Sequence, residues 1–126
     1  MMHFRRDPSE AYRRVDFDAR VRGADSRQLV DLCLEHVTAS IGRAIHAQDR
    51  GDNAAKSAAL TRAISALTAL QMGVDMANPT AAALVQLYQA ARGSILDCVT
   101  RFDKQKLALI RQDFSEIREA MLRSAT

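Results

Sequence analysis

The chain has 126 residues, of which 48% are hydrophobic and 26% charged, with 5 Gly, 2 Pro and no Trp. That is one domain of ordinary globular composition, with no room for a second core of useful size. The net charge is +3, from 18 basic and 15 acidic side chains.

Arg5, Arg6, Arg13, Arg14, Arg20 and Arg22 give the N-terminal segment a basic look. Asp7, Glu10, Asp16, Asp18 and Asp25 nearly cancel them. A nucleic-acid-binding arm would keep its excess, because affinity comes largely from phosphate neutralisation. No nucleic-acid partner is expected. The N-terminus has no apolar signal-peptide region, and no apolar run approaches membrane-spanning length. The expected compartment is therefore the cytoplasm, with no membrane insertion.

Residues 1–25 mix Arg and Asp irregularly around Phe4, Tyr12, Val15, Phe17 and Val21, which reads as a detachable arm or short helix. Residues 26–126 carry four segments of helical periodicity and no alternating strand pattern. The first helix is expected from about Ser26 to Gln48, with Leu29, Leu32, Cys33, Val37, Ile41, Ala44 and Ile45 spaced by three and four. Asp25 or Ser26 can cap it, and Gly51 can end it in the left-handed conformation.

A second helix is expected from about Ala54 to Met72, striped by Leu60, Ala63, Ile64, Leu67, Leu70 and Val74. Asn78 is placed to cap the third, with Pro79 at its first position. The third carries Leu84, Leu87, Tyr88, Ala91, Ile95, Cys98 and Phe102, and the fourth Leu107, Ile110, Phe114, Ile117 and Met121. No Gly or Pro separates these two. The only sign of a break is the five-residue step from Phe102 to Leu107, so one bent helix stays open. Four helices of this length with short connections predict an all-α antiparallel four-helix bundle.

Catalytic and metal constellations are missing. There is no Glu-x-x-His pair, Cys-x-x-Cys, His-Glu-x-x-His, Gly-rich phosphate loop or Gly-x-Ser-x-Gly. His36 and His46 sit about 80° apart on an ideal helix. Cys33 and Cys98 lie within apolar stripes and read as small buried hydrophobes, not as a disulfide framework. Neither enzymatic activity nor a cofactor or metal is expected.

Between Ala11 and Met121 the chain resembles the flagellar export chaperone family FliS. Ala11-Tyr12 and Val15 are similar to the family's N-terminal Ala-Tyr…Val signature. Ala24-Asp25-Ser26-Arg27-Gln28-Leu29-Val30 looks like its Ala-Ser-Pro-x-Gln-Leu-Val. Gly51-Asp52, then Lys56, Ala63, Ile64, Leu67 and Leu70, then Asp75, Leu84, Leu87 and Tyr88 continue the pattern in order. Departures are Ser26 for the usual Pro, Met76-Ala77-Asn78-Pro79 for a Glu-Lys-Gly-Gly turn, Ala90 for an aromatic, and Met121 near the position of a Trp.

The resemblance implies a chaperone whose bundle binds the disordered C-terminal segment of flagellin, keeps it unpolymerised and presents it to the flagellar export gate. The N-terminal arm would move aside, and the free chain can be a homodimer. An alternative reading is a helical scaffold or regulatory adaptor with a different partner.

Candidate partner-binding residues follow from the resemblance and the stripes. Tyr12 and Val15 either hold a displaceable arm or pack a fixed extra helix. Gln28 reads as a capping side chain or a contact, and Leu29 and Leu32 as core or groove. Ile64, Leu67 and Leu70 can line the core, leaving Ala66, Ala69 and Met72 as outward apolar surface. Leu87 and Tyr88 suit either core or interface, since Tyr joins an apolar ring to a polar tip.

Overall fold

The computed structural model describes Phe17 and residues 26–124. Four helices follow in order: α1 Ser26–Arg50, α2 Asn53–Met72, α3 Ala81–Thr100 and α4 Lys104–Ser124. Among the described residues there is no strand. The expected all-α four-helix bundle is the fold found. Tyr12, Val15 and Asp25, one of the two candidate caps of the first helix, lie outside the described residues.

Local chemistry sets each helix end. After α1, Gly51 takes φ +71°, while its N–H donates to Gln48 O and that of Asp52 to Ala47 O. This pair of bonds satisfies the last carbonyls of α1 in a Schellman arrangement that glycine adopts without a Cβ penalty. Asp52 then caps α2, its Oδ1 accepting from Ala55 N at 3.0 Å.

The start of α3 differs from expectation. Asn78 Oδ1 accepts from both the N–H and the hydroxyl of Thr80, at 2.9 and 2.8 Å. That Asx turn keeps Asn78 and Pro79 outside the helix, which begins at Ala81.

α3 and α4 are separate helices. Asp103 opens α4, its Oδ1 accepting from Lys106 N and its carbonyl from Leu107 N, both at 3.1 Å. The five-residue step from Phe102 to Leu107 is thus the spacing of a hydrophobic staple around an N-cap. Leu107 is buried, and Phe102 packs on the same core.

Neighbours run antiparallel. On the α1–α4 seam, Asp31 faces Arg118, Gly42 faces Arg111 and Asp49 faces Lys104. The most extensive contact is α1 with α2, where Ala44, Ala47, Ala59, Ala63 and Ala66 are all buried. Small side chains there let the two backbones approach closely. Ala66 accordingly faces the core at 4% exposure rather than outward, whereas Ala69 and Met72 are exposed.

Leu34, Val37, Ile41, Leu60, Leu67, Ile95, Leu107 and Phe114 fill the centre. Burying each such side chain contributes about 1.5–3 kcal/mol. Lys56 ties the α1–α2 turn to the α3–α4 turn: its Nζ donates to Gln48 Oε1 at 2.9 Å and stands 5.4 Å from the Phe102 ring centre.

Candidate functional site: an apolar groove between the third and fourth helices

α3 and α4 are joined by only three residues, 101–103, yet they touch far less than α1–α2, α2–α3 or α1–α4. The bundle is therefore parted along this one seam. Helical phase decides what lines the opening, at about 100° per residue. Arg111, Ser115 and Arg118 point α4 at α1, so Ile110, Ile117 and Met121 turn toward α3. Ile110 and Ile117 are half-buried, and Met121 is 41% exposed.

On α3 the residues turned to the side of α4 are Leu87 and Ser94, both half-buried. Leu96 and Val99, 44% and 52% exposed, follow Ile95 and Cys98 by one residue and so turn to the other side of that helix. Leu109, at 67%, stands on the outer face of α4, away from the core line of Leu107 and Phe114. Apolar side chains left this open on adjacent helices are a surface that a partner can cover.

The floor of the opening is built from three helices. Tyr88 of α3 stacks on Phe114 of α4, centres 6.2 Å apart at 26°. Cys33 of α1 lies close enough that its charge, when formed, acts on Tyr88. Burial pushes both the Cys33 thiol and the Tyr88 phenol above their ordinary pKa values, with the Cys33 charge a smaller contribution at Tyr88. Both stay neutral at ordinary pH, so the floor is uncharged.

The sequence-derived candidates divide by burial. Gln28 and Leu29 are exposed at the start of α1. Ile64 and Leu87 are half-buried and pack on the core. Leu32, Leu67, Leu70 and Tyr88 are buried, at 8%, 0%, 5% and 3% exposure. Such side chains are occupied by their neighbours and offer a partner almost no surface, so any contribution they make to binding is through the shape above them. Leu96, Val99, Leu109 and Leu122, the more open apolar residues, fall outside the core stripes of their helices. That was the available signal: α3 carries more apolar positions than one core face needs.

Among the described residues, no group of three or more His, Cys, Asp and Glu is placed to hold a metal ion. No helix among them is long and apolar enough to cross a membrane.

The described residues form an all-helical bundle with one parted, apolar-lined seam. Residues 8–122 match the family described as flagellar protein FliS, and the chain belongs to that family. Its members are chaperones of flagellum biogenesis. No curated protein sequence matches the chain.

Proposed function

We propose that this chain is a cytoplasmic flagellar export chaperone that takes up the disordered C-terminal segment of flagellin in the groove between α3 and α4. The observation that carries this reading is the slight contact of α3 with α4, where Ile110, Ile117 and the 41% exposed Met121 turn into the parted seam. An amphipathic helix docks into such a groove through anchors at helical spacing. The segment folds as it binds, and its ordering takes up part of the gross interaction energy. Held in this way, flagellin cannot polymerise and is presented to the export gate. The N-terminal arm, with Tyr12 and Val15, competes for the bundle surface and is displaced.

Calorimetry with a flagellin C-terminal peptide tests the reading. Binding is expected one-to-one, with a negative heat-capacity change from apolar burial. Met121→Glu should weaken it at least about tenfold, about 1.4 kcal/mol, without lowering the melting temperature appreciably. A flagellin lacking its C-terminal segment that bound equally well would overturn the proposal.

A further inference from the structure

The seam between α1 and α4 is closed by ion pairs at both ends and left incomplete in the middle. At one end Lys104 Nζ lies 3.5 Å from Asp49 Oδ2. At the other, Arg118 binds Asp31 and reaches Glu35. Halfway between, the antiparallel register sets Arg111 against Gly42, which has no side chain to answer it. The guanidinium lies so close to the α1 backbone that a Cβ on Gly42 would stand 3.1 Å from Arg111 Cζ.

Arg111 makes no ion pair or hydrogen bond with any described residue. Each α1 carboxylate of the seam is already engaged, Asp49 by Lys104 and Asp31 and Glu35 by Arg118. Beside Arg111 opens a cavity of about 350 Å³, lined by Thr38, Ile45, Ala108, Gln112 and Ser115 as well. Thr38 donates its hydroxyl proton to Glu35 O, and Gln112 its amide to Glu116. The Ser115 hydroxyl and the guanidinium remain as donors, with Ile45 and Ala108 as an apolar wall.

A second observation comes from the backbone. Gly in a helix interior costs about as much as any ordinary residue can, yet Gly42 sits in the middle of α1 just where the guanidinium lies. The space it leaves lets the guanidinium lie against the α1 backbone at the cavity mouth.

We infer that this cavity receives a carboxylate on a short aliphatic stem, the acidic side chain of a partner polypeptide laid along the α1–α4 seam. Charge complementarity selects the ligand: one planar cation with a hydroxyl beside it matches a carboxylate, and the apolar wall takes the stem. A half-solvated pair holds a free small carboxylate weakly, whereas a polypeptide with other contacts presents the group at high effective concentration. The seam lies on the side of α4 away from the α3–α4 groove, so both surfaces can be occupied together.

The test uses a capped 18-residue Ala/Leu-rich helical peptide with one central Glu, and its Gln twin, titrated while the Arg111 Nε–H signal is followed by NMR. The Glu peptide should bind at least fivefold more tightly and shift that signal. Arg111→Gln should remove the difference between the twins. Gly42→Ala should push the guanidinium from its place and also reduce the difference, while raising the melting temperature by about 2–5 °C through helix propensity. Weaker binding by a more stable protein separates the site from the fold. Equal binding of the twins, an unchanged preference in Arg111→Gln, or saturation of the signal by glutarate at the same concentration as the peptide would overturn the inference.

Discussion

Arg118 of α4 grips Asp31 of α1 at two points, Nε donating to Oδ1 at 2.7 Å and Nη2 to Oδ2 at 3.2 Å. The same Nη2 stands 3.5 Å from Glu35 Oε2, one turn further along α1. The hydrogen bond to Asp31, ahead of the charges of Asp31 and Glu35, holds the guanidinium above its usual pKa against the opposing effect of burial. Both side chains of the main pair are 33% exposed, so water screens them. Arg118→Ala is expected to cost about 1 kcal/mol, less at high salt. In a double-mutant cycle with Asp31→Asn, the coupling should stay below about 1 kcal/mol. A coupling several times larger would mean the pair is far drier than its exposure indicates.

Alkaline pH should loosen the floor of the groove. Cys33 and Tyr88 have pKa values raised in the fold from ordinary values of 9.0 and 10.0. For an acid whose folded pKa is raised, the native state holds its proton more tightly than the unfolded state. The resulting stability is complete below the ordinary value and is lost as pH rises through the folded one. Melting temperature should therefore fall from about pH 9 upward. Cys33→Ala should flatten the first part of that fall and Tyr88→Phe the later part. A profile unchanged in both variants would put the alkaline transition elsewhere.

How far the sequence could be read is clearest at the two connections flanking α3. The four apolar stripes mark four helices because a helix buries one face, and Leu60, Leu67, Ile95 and Leu107 are indeed at most 1% exposed. The boundary between α3 and α4 was harder, since neither Gly nor Pro stands there. Its real signal is Asp103, a capping residue flanked by Phe102 and Leu107 at staple spacing, and such a signal resembles any polar residue between two apolar ones. Asp103→Ala should cost about 1 kcal/mol, measured by denaturant unfolding with an unchanged slope. Asn78-Pro79 misled for a related reason: Asn78 bonds to Thr80 in a turn instead of capping a helix. The groove was the least legible. Periodicity shows which residues of one helix share a face, and so separates Ile95 from Leu96, but it does not show that α3 and α4 stand apart.

Ser40 sits at 0% exposure on α1, and its hydroxyl has no hydrogen-bond partner among the described residues. A buried hydroxyl without a partner loses its water and gains nothing in return. Ser40→Ala removes one oxygen and adds helix propensity, so stability should rise by about 0.5–1.5 kcal/mol. A loss of stability on this change would reveal a hydrogen bond to a residue outside 26–124.

Phe17 is the described residue of the N-terminal segment, and it decides how the arm is tested. Its ring stacks on His36 of α1, centroids 4.2 Å apart at 25°, and it packs half-buried against the core. Phe17→Ala should therefore cost about 1–2 kcal/mol, the burial of part of an aromatic ring plus the stacking contribution. Deleting residues 1–15 leaves that contact in place, and the melt should stay cooperative because the fully buried centre begins after residue 30. If the arm and flagellin compete for the bundle, apparent affinity is lowered by the fraction of molecules whose surface is covered. The deletion should then bind the flagellin segment as well as the full chain or better, and Tyr12→Ala with Val15→Ala should act in the same direction, more weakly. An arm that is an integral part of the core predicts the reverse, with stability and binding falling together. A folded deletion variant that binds markedly less would make Tyr12 and Val15 direct contacts of the partner and end the displacement reading.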